Sequence, residues 1–143
     1  MARTHLLDTS VYSQLLRRVV PATVITRWQS LGEGAMAISA IAEAELLYGL
    51  KKGGAARQLR DYEFMLKGRY DLLEIDALVA ATYAELRVAC ETAGDTVGDM
   101  DLLIAATAKA NNLAVATLNY RDFSRIPGVT VEDWSQPPAA PAQ

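Results

Sequence analysis

Short apolar runs alternate with helical patterns along most of this chain, and turn residues punctuate them. Residues 5–7 read as a first strand that stops at Asp8, with Thr9 or Ser10 placed to cap a helix reaching about Arg18. Pro21 suits the first turn of a second helix through Val24, Ile25 and Trp28, which Gly32 and Gly34 break. Residues 36–38 predict a second strand, and Ser39 caps a helix that ends near Gly53 and Gly54. A helix is expected over residues 55–67, anchored by Leu59, Tyr62, Phe64 and Met65, then a third strand over 72–75. Asp76 caps a long helix to about Thr92; Gly94 and Gly98 bracket a loop, and Asp101 opens the next helix. Strands are expected over 113–117 and 129–131.

Strand followed by helix, repeated, predicts an α/β fold with a mostly parallel sheet and right-handed crossovers. In such sheets a ligand site lies outside the carboxyl ends of the strands. No internal repeat is present. The pattern gives one domain over residues 1–135, and the proline-containing end, residues 136–143, reads as a flexible tail.

Composition narrows the chemistry. The single cysteine, Cys90, excludes an internal disulfide and a cysteine zinc site, and the single histidine, His5, excludes a multi-histidine metal site. No apolar run approaches the roughly 18 residues of a membrane span, and the N-terminus lacks a signal-peptide pattern, so a cytoplasmic location is expected. Net charge is −3, but unevenly spread: residues 1–70 carry a balance of +4 and residues 71–143 a balance of −7. A local basic face is therefore compatible with an acidic total. Lys51, Lys52, Arg57 and Arg60 are its candidates.

The carboxylates fall where the sheet logic puts a site. Asp8 ends the first strand, where an Asp can equally cap the helix that follows; Asn119 and Asp122 follow the fourth, Asp101 begins a helix, and Glu45 lies on the helix entered from the second. Glu43, about 200° away from Glu45 around that helix, points elsewhere. Ala42, Tyr48 and Gly49 share the face of Glu45, so Tyr48 is a candidate lining of its groove. Acids brought together this way repel one another, and a hard divalent cation such as Mg²⁺ or Mn²⁺ is the natural compensation. Such an ion serves phosphoester hydrolysis without a cysteine nucleophile or a histidine base. A dehalogenase-like phosphatase would need an Asp where Ser10 stands, and a receiver domain would need an acidic pair that Asp8 lacks.

Five segments in order then take on a family likeness: LLDTS at 6–10, ISAIAEAELLYGLKK at 38–52, VGDMDLLIAATAKANNL at 97–113, ATLNYRDFSRIPGV at 116–129 and VEDWS at 131–135. Together they resemble the PIN-domain ribonuclease toxins of the VapC type. The resemblance implies a three-layer fold with five parallel strands flanked by helices. It implies a Mg²⁺- or Mn²⁺-dependent endoribonuclease that cuts RNA, with transfer RNA in the anticodon region as the expected target. It also implies inhibition by a VapB-type antitoxin, a homodimer, and a larger toxin–antitoxin assembly. The family's acids match Asp8, Glu45 and Asp101 as metal ligands, and its last polar cluster matches Thr117, Asn119, Arg121, Asp122 and Phe123. Asn119 or Asp122 completes the site, while Thr9, Ser10 and Thr117 are expected to support the acids by hydrogen bonds. A silent PIN-like scaffolding module and a PIN-type DNA nuclease are the competing readings.

Overall fold

The computed structural model describes residues 2–139; the last four residues of the expected tail, 140–143, lie outside the described residues. Five strands form one all-parallel sheet: β1 (His5–Leu7), β2 (Met36–Ser39), β3 (Asp71–Leu73), β4 (Ala114–Thr117) and β5 (Val131–Asp133). Their order across the sheet is β3-β2-β1-β4-β5. The chain steps outward from β1 on one side, then returns past it to build the other. The direction of winding thus reverses between β1 and β4, and a crevice opens at their carboxyl ends.

Neighbouring residues of the central strands face opposite layers, as a sheet buried on both sides requires. Leu6, Ala37 and Val115 pack with α5 (Ala77–Thr92), α6 (Asp99–Ala110) and Phe123 of α7 (Tyr120–Ser124). Leu7, Met36, Ile38 and Ala116 pack the other way, against α1 (Thr9–Tyr12), α2 (Ala22–Leu31), α3 (Ala40–Gly53) and the segment after α4 (Ala56–Asp61). Trp134, just past β5, is fully buried in this second layer. Arg27 reaches across to donate to the carbonyls of Asp133, Gln136 and Pro137.

Several local expectations shift. Asp8, not Thr9 or Ser10, caps α1, accepting from the Val11 N–H at 3.0 Å. That helix gives way at Ser13–Leu16 to a 3-10 turn. Gly98 caps α6, so Asp101 sits inside its first turn rather than opening it. The stretch over 55–67 is interrupted: α4 ends at Asp61 and a π-type turn spans Tyr62–Leu66. Tyr62 holds as an anchor and Leu66 joins it, while Leu59, Phe64 and Met65 are exposed; the wider turn carries Met65 off the face of Tyr62, and Phe64 lies about 200° from Tyr62 even at the α-helical period. β3 is an edge strand beginning at Asp71, and β5 starts two residues later than expected. Ser39, Asp76 and Gly54 perform their capping roles; Gly54 does so with φ of 65°, where a side chain would be strained.

Candidate active site

Asp8 leaves β1 directly into the crevice. Its N–H completes the ladder to Ala116 O at 3.0 Å, which sets it beside Thr117, the last residue of β4. Both carboxylate oxygens are already engaged. Oδ1 accepts from Ser10 Oγ at 2.7 Å and from the α1 backbone; Oδ2 accepts from Thr117 Oγ1 at 2.6 Å. Ser10 Oγ in turn accepts from the Leu118 N–H, and Thr117 Oγ1 from the Asn119 N–H. The carboxyl is almost wholly buried, and burial pushes its pKa upward against the pull of these donors. Capping and site membership are therefore one geometry, since the cap bond fixes the direction in which the carboxylate points.

Glu45 projects from α3 toward the same end of the sheet and accepts from Thr9 Oγ1 at 2.5 Å. Glu43 lies across the helix, held by the hydroxyls of Tyr12, at 2.9 Å, and Tyr62. The two glutamates face different surroundings, as the helical period requires. Tyr48, expected to share the groove of Glu45, instead stands in solvent with Lys52 Nζ 5.6 Å from its ring centre. The side chain of α3 position 48 simply falls outside the cleft that position 49 enters.

Asp101 completes the convergence. Its carboxyl is pushed up to about 6, first by burial and then by the negative charges of Asp122, Glu45 and Asp8. Asp99, two residues earlier, turns to Tyr83 and Arg87 instead. The structure thus places Asp8, Glu45 and Asp122 near enough to Asp101 for their charges to act on it, with Thr9 hydrogen-bonded to Glu45 and Ser10 and Thr117 to Asp8. Asn119 is tied to the site by its backbone, and its side chain makes no hydrogen bond to the four acids among the described residues. Of the basic candidates, Lys51, Lys52 and Arg60 are exposed, while Arg57 is taken up by Asp61 at 2.8 Å.

Among the described residues, no Lys or Arg forms an ion pair with any of the four acids. Four uncompensated oxygen donors suit a hard divalent cation. Among the same residues no three acidic, histidine or cysteine side chains are placed to hold an ion together, so direct coordination by three of these acids would need them to draw closer than they stand here.

Two features escaped the sequence reading. Asp133 ends β5 and lines a cleft with Asn119 and Asp122; placing that strand two residues early hid it. Arg17 and Gln58 line a cleft that continues from Thr9 and Glu45, and no sequence spacing links them.

The PIN domain family model matches residues 5–129. The chain is similar to the tRNA(fMet)-specific endonuclease VapC of Shigella flexneri, 34% identical over 131 residues, which cover 91% of this chain and 97% of that protein. It is similar to a chain in the crystal structure of FitAcB from Neisseria gonorrhoeae, with a TM-score of 0.83 and 32% identity over 93% of this chain and all of that one. A chain of DNA-bound VapBC from Salmonella typhimurium matches with a TM-score of 0.82 and 33% identity, covering 92% of this chain and 98% of that one.

Proposed function

The chain belongs to the PIN domain family, as a VapC-type member, and we propose that it is a Mg²⁺- or Mn²⁺-dependent endoribonuclease toxin restrained by a VapB-type antitoxin. The observation that carries this reading is the crowding of Asp8, Glu45 and Asp122 on Asp101 with no basic partner. Asp8, Asp101 and Glu45 would hold the cation, with Asp122 or Asn119 completing the site. When bound, the ion offsets the charge of the acids and of the phosphate and makes a water more acidic.

The chain's own residues do the rest. Ser10 and Thr117 fix both oxygens of Asp8 before RNA arrives, so no reorganisation is needed on binding. Thr9 holds Glu45 toward the crevice, where it positions the attacking water. Asp101, which takes up a proton near pH 6 when no cation is present, is free to ionise once the local charge is offset. Exposed Lys51, Lys52 and Arg60 supply a face for flanking phosphates.

Transfer RNA, cut in the anticodon region, is the proposed substrate; the naming of the Shigella relative supports it. A homodimer joined into a larger assembly with the antitoxin, working in the cytoplasm, follows the family likeness. No helix among the described residues is long and apolar enough to cross a membrane. The test is to incubate purified chain with transfer RNA, other RNA and matched DNA, in Mg²⁺ and in EDTA, and to sequence new 5′ ends. Cleavage confined to RNA and to Mg²⁺ is expected. Preferential DNA cleavage, or full activity in EDTA after confirmed metal removal, would overturn the assignment.

A further inference from the structure

The cleft beside Glu45 has the build of a specificity pocket, an inference that rests on the nuclease reading above. It holds about 210 Å³ and shares Thr9 and Glu45 with the acid site. Buried Leu46 and Leu50 give it an apolar wall. Arg17 and Gln58 line it from other elements, the first just after the 3-10 turn and the second on α4. Neither side chain makes a hydrogen bond among the described residues, so both have donors to offer a ligand. The segments that carry them are tied together: Arg57, next to Gln58, donates to Leu16 O at 3.3 Å while paired with Asp61.

Gly49 is the telling residue. It sits within α3, lines this cleft, and is a poor helix former there. A Cβ at this position would meet nothing within 4 Å. Packing does not require the glycine, and the helix would be better off without it. Its effect is to keep the cleft open.

We propose that this cleft seats one purine base of the RNA, adjacent to the scissile phosphate, with Arg17 and Gln58 reading its edge. An apolar wall with two donors at the rim fits a flat heterocycle. Both purines present an N7 acceptor that a guanidinium or amide N–H meets; pyrimidines lack N7 and, with a single ring, fill less of the cleft. The shared residues Thr9 and Glu45 put the base next to the site of cleavage.

The test compares wild type, Gly49→Leu, Arg17→Ala and Gln58→Ala on RNA randomised around the cut, together with melting temperature and direct binding of short purine and pyrimidine oligoribonucleotides. Wild type should prefer a purine beside the cut by about tenfold. Gly49→Leu should lower kcat/KM by at least about tenfold with a melting temperature equal to or above wild type, because leucine favours the helix but fills the cleft. Arg17→Ala and Gln58→Ala should flatten the purine preference without loss of fold. Wild-type kcat/KM in Gly49→Leu, or an intact purine preference in both alanine variants, would overturn the proposal. So would a Gly49→Leu variant whose only defect is weaker inhibition by the antitoxin, since the cleft would then belong to that partner. If wild type binds oligonucleotides but cuts none, the nuclease reading falls while the binding arm still decides: purine selectivity lost in Gly49→Leu supports the seat, and equal binding of both classes refutes it.

Discussion

Asp101→Asn separates what the acid site does for chemistry from what it costs the fold. The Asp101 carboxyl titrates near 6 in the folded chain against 3.8 for a free side chain. At about 1.36 kcal/mol per pH unit, its ionised form destabilises the metal-free fold by roughly 3 kcal/mol. Partial exposure to solvent reduces this to ~1–2 kcal/mol. Asn keeps the shape and removes the charge, so the variant recovers that amount. For a domain of this size the melting temperature should rise by about 2–8 °C in EDTA at pH 8. The gain depends on pH in a defined direction. Below 3.8 the carboxyl is protonated in both states and the variant has no advantage. Between about 4 and 6 the unfolded chain ionises while the folded site resists, so wild-type stability falls and the gap opens. Above about 6 the gap is constant. In saturating Mg²⁺ the order should reverse, because the cation stabilises wild type by about 2.7 kcal/mol at a hundred times its dissociation constant. RNA cleavage should be lost in the variant throughout. Differential scanning fluorimetry from pH 4 to 8, with and without Mg²⁺, reads all of this. A variant less stable than wild type in EDTA at pH 8, or a gain of equal size at pH 4, would refute the reasoning.

Glu45→Gln should slow cleavage by at least about tenfold, or ~1.4 kcal/mol, while Glu43→Gln stays within about twofold in rate. Glu43→Gln should instead lose about 1–2 kcal/mol of stability, since it weakens two tyrosine hydrogen bonds to a charge; equal rate losses at saturating Mg²⁺ would invert the assignment of faces. Thr117→Val leaves Asp8 Oδ2 without its side-chain donor and should cost about 1–3 kcal/mol in urea unfolding. Weaker metal affinity by about tenfold or more should accompany it, and unchanged Mg²⁺ titration would count against a supporting role. A complex with the antitoxin should show an Arg or Lys of its tail near Asp8 and Asp101; full inhibition from a distant contact would contradict this.

The parts of the fold visible in sequence were those where one local rule had no rival. HLL, MAIS and AVAT are apolar runs with turn or capping residues at their ends, and each proved to be a strand within one residue of its expected bounds. The separation of Glu45 from Glu43 followed from the helical period alone. Val129 and Val131 are both apolar, so the pattern could not place the fifth strand; pairing with Val115 settled it at Val131–Asp133. Met65 would share the face of Tyr62 in a regular α-helix, and the π turn over Tyr62–Leu66 removes it; Phe64 stands about 200° from Tyr62 at the helical period, so only its apolar character suggests an anchor. Asp8 presented a choice between helix cap and site acid that local patterns cannot resolve, and the structure gives it both positions. Arg17 and Gln58 lie 41 positions apart in the chain, and only tertiary packing brings them to one cleft.

The strand order has a consequence for when the acid site comes into being. β1, the central strand, leaves the ribosome first, yet one of its two neighbours is β4, and Thr117 meets Asp8 across 109 residues. At about 5–20 residues per second, several seconds of synthesis separate the two. Until β4 emerges, Asp8 has no Thr117 and neither Asp101 nor Asp122 can join it at a finished sheet edge. The acid site therefore assembles late and as a unit, once the segments that carry Asp101, Thr117 and Asp122 have all been made.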